Sequence, residues 1–210
     1  HEFGHALVNW LAGRPAVPLP TVTLYFTDTC SPLFALAVAA ALGALLWKAL
    51  VEDCRFLAGL CALLFLAQGW LVFIAPWRDV DFLVNFGGLG GECVVSAALV
   101  ALYFQPMPRF TRWPAVRVFF LAVGALALAQ SLRTWTQAAR DFANVPWGGF
   151  WGGDGDVGYM MARGWTVNHL VAVYLRLARV CAACALAAWG WAAWAAWRSP
   201  LPKRHTSPDA

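Results

Sequence analysis

The 210 residues carry 61% hydrophobic but only 12% charged side chains, with thirteen Trp and a formal net charge of +4. Such a composition excludes an ordinary water-soluble domain, in which about half the residues are apolar and about a quarter charged. The small charge, with no basic stripe interleaved with aromatics, also excludes a nucleic-acid partner. The chain reads as an all-α, polytopic transmembrane helix bundle, an integral multi-pass protein whose first partner is the lipid bilayer.

In chain order, His1-Glu2-Phe3-Gly4-His5 opens an apolar helix that continues through Leu11. Helix positions i and i+4 lie one above the other, so His1 and His5 can aim two imidazoles at one Zn²⁺ while Glu2 stands beside a metal-bound water as general base. That is the HExxH arrangement of zinc hydrolases. Because the sequence begins on the first ligand, this helix is expected to extend upstream of His1 and to be a truncated span. Ala12-Gly13-Arg14-Pro15 stops it, and the stretch to Asp28 is an extended loop or short hairpin in which Val17 and Thr21-Val22-Thr23 favour a strand. Apolar runs follow at 32–51, 56–75, 87–105, 115–132 and 171–197. Each is near or above the ~20 residues that cross a bilayer, giving five complete spans. Between the last two, residues 133–168 form a polar helical half and then a Gly/Trp-rich loop from Pro146 to Asp156, whose aromatics suit the membrane interface. The residues 199–210 are expected to be a disordered tail, leaving 1–198 as one membrane-embedded domain. Cys61, Cys93, Cys181 and Cys184 fall inside apolar runs, where Cys acts as a small hydrophobe.

A catalytic zinc takes three protein ligands and leaves one position for water, so two histidines require a third. Even numbers of spans return the chain to the end of the bundle where the HEFGH helix finishes, and this selects Glu92, Asp154, Asp156 and, less well, His169. His5 lies about six residues before its helix end and Glu92 about five into its run, each roughly 8–9 Å deep at 1.5 Å per residue. Glu92 follows Gly87-Gly88-Leu89-Gly90-Gly91, whose missing side chains permit close helix approach, and it is favoured slightly as a site residue. Asp154 and Asp156 sit in Gly-Gly-Asp-Gly-Asp, whose backbone can turn tightly around a site.

At the stretch from His1 to Pro18 the chain resembles the zinc-binding helix of the site-2-protease-like intramembrane metalloproteases. The resemblance implies that His1 and His5 are ligands, that Glu2 is the base and that an Asp from a later segment completes the site. The LDG motif that usually carries that Asp is missing here, and Asp154-Gly155 is its nearest echo. The leading functional reading is zinc-dependent hydrolysis of a membrane-embedded or juxtamembrane peptide. A zinc-dependent lipid amide or ester hydrolase and a non-catalytic polytopic membrane protein are the alternatives.

Charge in the short loops gives an orientation. Lys48, Arg55, Arg109, Arg112, Arg117, Arg198, Lys203 and Arg204 fall on one side, against Arg14, Arg78, Arg133, Arg140 and Arg163 on the other. The richer side is expected in the cytoplasm. A cysteine placed at Ser207 should therefore resist membrane-impermeant thiol reagents in intact cells, and labelling from outside would reverse the assignment.

Overall fold

The computed structural model describes residues 1–109, 113–148 and 155–198. Among them the chain forms α1 (Glu2–Leu11), strands β1 (Ala16–Pro18) and β2 (Thr23–Tyr25), α2 (Pro32–Val51), α3 (Arg55–Phe73), α4 (Trp77–Tyr103), α5 (Pro114–Ala138), a 3₁₀ turn (Phe142–Asn144), α6 (Asp156–Ala162) and α7 (Val167–Arg198). The helix starts follow from local chemistry. Ser31 caps α2 by accepting the Phe34 N–H, and Pro32 and Pro114 stand in the first turns of α2 and α5, where a missing N–H costs nothing. Asp53, at a left-handed φ of 52°, turns the chain from α2 into α3.

Helices α2, α3, α4, α5 and α7 are long and apolar enough to cross a membrane. Their apolar residues face outward to an unusual degree: Leu33, Leu66 and Phe73 are 79%, 71% and 85% exposed. An exterior of this kind is compatible with lipid contact. Both α4 and α5 run longer than the apolar stretches indicate. Helix α4 starts at Trp77 rather than near Gly87, because Pro76 supplies a ready helix entry and Val80 is fully buried while Arg78, Asp79 and Asp81 stay at the surface. In a mostly helical chain the two-stranded hairpin falls where the sequence favours a strand: Ala16 pairs with Tyr25, Val17 with Leu24 and Pro18 with Thr23, antiparallel. The tail expected at 199–210 lies outside the described residues.

Helix α4 is the centre, packed against α1, α5, α6 and α7, while α2 and α3 pair chiefly with each other. The principal core lies under α6, where Tyr174 stacks on Trp135 at 4.6 Å and on Phe86 at 5.0 Å, with Val157, Met160 and Leu170 fully buried around them. At the other end Glu52 accepts the Arg109 N–H at 2.7 Å and sits 3.4 Å from Lys48, so the α2–α3 turn meets the chain leaving α4. Those contacts, the Arg109 amide first, hold the Glu52 carboxyl below its ordinary pKa.

Helices α1 and α4 come so close that backbone meets backbone. A Cβ on Gly4 would strike the Gly87 carbonyl, one on Gly91 would strike the Gly4 Cα, and one on Gly87 would strike Val8, all closer than 3.0 Å. As the α1 number rises from Gly4 to Val8 the α4 partner falls from Gly91 to Gly87, so the two helices run antiparallel. Substituting Gly91→Val should force them apart and cost about 1–3 kcal/mol. Thermal unfolding in detergent, followed by reaction of the buried cysteines with a fluorogenic maleimide, should show the lowered midpoint, whereas Leu66→Ala on the exposed face of α3 should leave it unchanged.

Candidate metal centre

The glycine seam brings His5 to α4. Its Nδ1 lies 2.7 Å from the Val84 carbonyl oxygen, which only accepts, so Nδ1 carries the proton and the neutral ring keeps its Nε2 lone pair free. The Nε2 atoms of His5 and His1 are 3.2 Å apart. Asp156, the first residue of α6, completes a triangle: its Oδ2 lies 3.1 Å from His5 Nε2 and 3.3 Å from His1 Nε2. Two ligand atoms on a tetrahedral ion at 2.0–2.1 Å would stand roughly 3.3 Å apart. The three edges therefore have the length of one face of such a tetrahedron. Asp156 Oδ2 is moreover buried with no hydrogen-bond donor, a costly state for a carboxylate oxygen that a cation would relieve. On both observations these three residues could hold a metal ion.

Glu2 stands next to this triangle. Thr23 Oγ1 lies 2.8 Å from Glu2 Oε2 and 2.9 Å from the Glu2 main-chain oxygen, leaving Oε1 3.9 Å from His1 Nε2. The hairpin is thus folded back along α1 until β2 reaches its first turn, helped by Trp10 Nε1 donating to the Ala16 carbonyl at 2.8 Å. Gly88 closes the floor: a Cβ there would meet both His5 Nε2 and Asp156 Oδ2. The group lies on the wall of an open cleft of about 840 Å³, whose other end holds Arg14, buried and paired with Asp81 at 2.7 Å, its guanidinium over Trp77 at 5.0 Å.

Of the candidates read from the sequence, His1, His5 and Asp156 are brought together, and Glu2 beside them. Among the described residues theirs is the group of three whose ligand atoms converge. Glu92 goes elsewhere: its Oε1 accepts from Ser131 Oγ of α5 at 2.5 Å. Successive helix residues are turned by ~100°, which takes Glu92 from the α1 side occupied by Gly91 round toward α5. Asp154 lies outside the described residues. His169 packs edge-on against Trp165 at 4.5 Å, apart from the group. Thr23 and Gly88 stand at the group although the sequence marks them only for a strand and for close helix approach, Thr23 because a lone hydroxyl in a strand carries no spacing signal. No family model matches the chain, nor does any curated protein or solved structure.

This geometry sets a metal-binding test. Titrated with zinc against a fluorescent chelator, the protein should take up about one ion per chain, and His5→Ala should abolish uptake. Asp156→Asn should weaken it by more than the ~10–100-fold typical of a partner beyond the ligands. Glu92→Gln should leave it unchanged. Loss of zinc in Glu92→Gln but not in Asp156→Asn would reverse the choice of third ligand.

Proposed function

We propose that the chain is a membrane-embedded zinc endopeptidase with His1, His5 and Asp156 as ligands and Glu2 as general base. The observation that carries this reading is the triangle of ligand atoms at 3.1–3.3 Å with the free Glu2 oxygen beside it. Zinc held there would supply Lewis acidity, polarising a carbonyl and lowering the pKa of water toward neutrality. Glu2 takes the proton from the water that attacks the scissile carbonyl carbon and returns it to the departing amine as the C–N bond breaks. Thr23 keeps one carboxylate oxygen fixed, so the proton is taken on the other, which faces the imidazoles.

A peptide fits the cleft better than a lipid amide or ester does. Residues Thr21 to Thr23 and Tyr25 line the cleft, and β2 pairs with β1 along one edge only. An extended peptide can hydrogen-bond to the other edge as an added strand, which fixes the scissile carbonyl relative to Glu2. A lipid has no repeating backbone to use it. Five helices long and apolar enough to cross a membrane support a catalytic end in or beside a bilayer, with the open cleft as the route for the water that hydrolysis consumes. The reading accords with the resemblance to intramembrane metalloproteases.

The Glu2→Gln variant should keep zinc and the unfolding midpoint while hydrolysis of a fluorescein-labelled casein in detergent falls by about 10²–10⁴-fold. Unchanged turnover would remove Glu2 from the chemistry. Zinc uptake without any hydrolysis by the unmodified chain would favour a non-catalytic metal site.

A further inference from the structure

Hydrolysis at this site builds negative charge on the substrate carbonyl oxygen, and a donor fixed in advance at that position is ordinarily the largest single contribution to rate. Glu2 and the Asp156 carboxylate cannot donate to it. Asn9 and Asn85 line the cleft too, but each has its amide drawn to a carbonyl of its own helix, His5 and Asp81 respectively, with one proton left over. Arg14 is held by Asp81.

Tyr159 differs. It lies on α6 three residues after Asp156, hence on the same helix face and about 4.5 Å further along the axis, and it lines the same cleft. Arg163 fixes it twice, donating from Nη2 to the phenol oxygen and stacking its guanidinium 4.7 Å from the ring centroid. Arg163 is itself anchored, its Nη1 donating to the Arg78 carbonyl at the start of α4 at 2.9 Å. The phenol oxygen thus accepts a charge-assisted hydrogen bond, and its own proton has no acceptor among the described residues. A phenol in that state is a stronger donor than a free one, and Arg163 restrains its position.

We propose that Tyr159, oriented by Arg163, is a further catalytic residue of this site, donating its hydroxyl proton in a hydrogen bond to the substrate carbonyl oxygen as that oxygen becomes an oxyanion. The proposal rests on the peptidase reading above. It assigns Arg163 as a positioning residue, and it explains why α6, a helix of two turns, is tied to the rim of α4 at one end while supplying a ligand at the other.

Tyr159→Phe keeps the ring, its packing and its stacking on Arg163, and removes only the hydroxyl. In the zinc-loaded protein, with labelled casein as substrate, kcat should fall about 10²–10³-fold with KM little changed. A peptide phosphonamidate, built on a bond mapped from the casein digest, mimics the tetrahedral oxyanion. Its affinity, measured by calorimetry, should fall by a comparable factor in Tyr159→Phe. In the Glu2→Gln background, by contrast, the uncleaved peptide should bind equally with Tyr159 or Phe. Arg163→Met should reproduce part of the loss. Unchanged kcat and phosphonamidate affinity in Tyr159→Phe, with Glu2→Gln inactive, would overturn this proposal and leave the peptidase standing. Loss of zinc in Tyr159→Phe would assign the residue a structural role instead, and no casein cleavage by the zinc-loaded unmodified protein would overturn both.

Discussion

The close approach of α1 to α4 is the constraint on which the rest depends. Two helices whose side chains interdigitate have axes 8–10 Å apart, and only where glycines meet can backbones come closer. Here Gly4 meets Gly87 and Gly91, and the result is chemical as well as mechanical. His5 reaches a main-chain oxygen of α4 through Nδ1, which sets its tautomer and leaves its Nε2 beside Gly88. Gly88, one residue along, leaves the space into which His5 Nε2 and Asp156 Oδ2 converge. A side chain at any of these glycines would part the helices or fill the place where the ligand atoms gather.

Around that seam two further segments are held by separate means. The hairpin stays on α1 through Trp10 and Thr23, whose hydrogen bonds reach main-chain oxygens as well as Glu2, so a two-stranded sheet too small to be stable alone is braced by its helix. Helix α6, seven residues long, is shorter than an isolated helix can sustain. It persists because Val157 and Met160 are fully buried on the aromatic stack of Trp135, Tyr174 and Phe86. The same two turns carry Asp156 and Tyr159, which line the cleft. Asp156 is therefore positioned by α5 and α7 together with α4, although no described residue of α5 or α7 lines the cleft.

Much of this was legible before the structure, for identifiable reasons. Uninterrupted apolar runs bounded by Pro or charge located the five long helices, since length and hydropathy alone govern that reading. The ends of α4 and α5 were misjudged because a helix does not stop where its apolar run stops: residues 77–86 are helical yet mixed in polarity, one face meeting the aromatic core and the other the cleft. The nearness of His1 and His5 was readable from their spacing. Which carboxylate stands beside them was not, because depth along an axis follows from counting residues whereas azimuth depends on which neighbour the helix selects. Glu92 has the depth but meets Ser131, and Asp156 is the carboxylate beside the two imidazoles.

Glu92 also shows how α4 is kept in register for its central role. An ionisable group in an apolar helix is costly unless it finds a partner, and here Ser131 of α5 provides a hydroxyl at 2.5 Å. A polar contact between apolar helices is directional in a way that packing of Leu and Ala is not, and it resists both rotation and sliding. The contact lies on the α5 side of α4, about one helical turn from Gly88. Rotating α4 by a single residue position would break the Glu92–Ser131 bond and drive the next side chain, Leu89, into the space between His5 and Asp156. The half-buried acid that sequence depth marked as a ligand candidate thus helps to hold the glycine face of α4 turned toward α1.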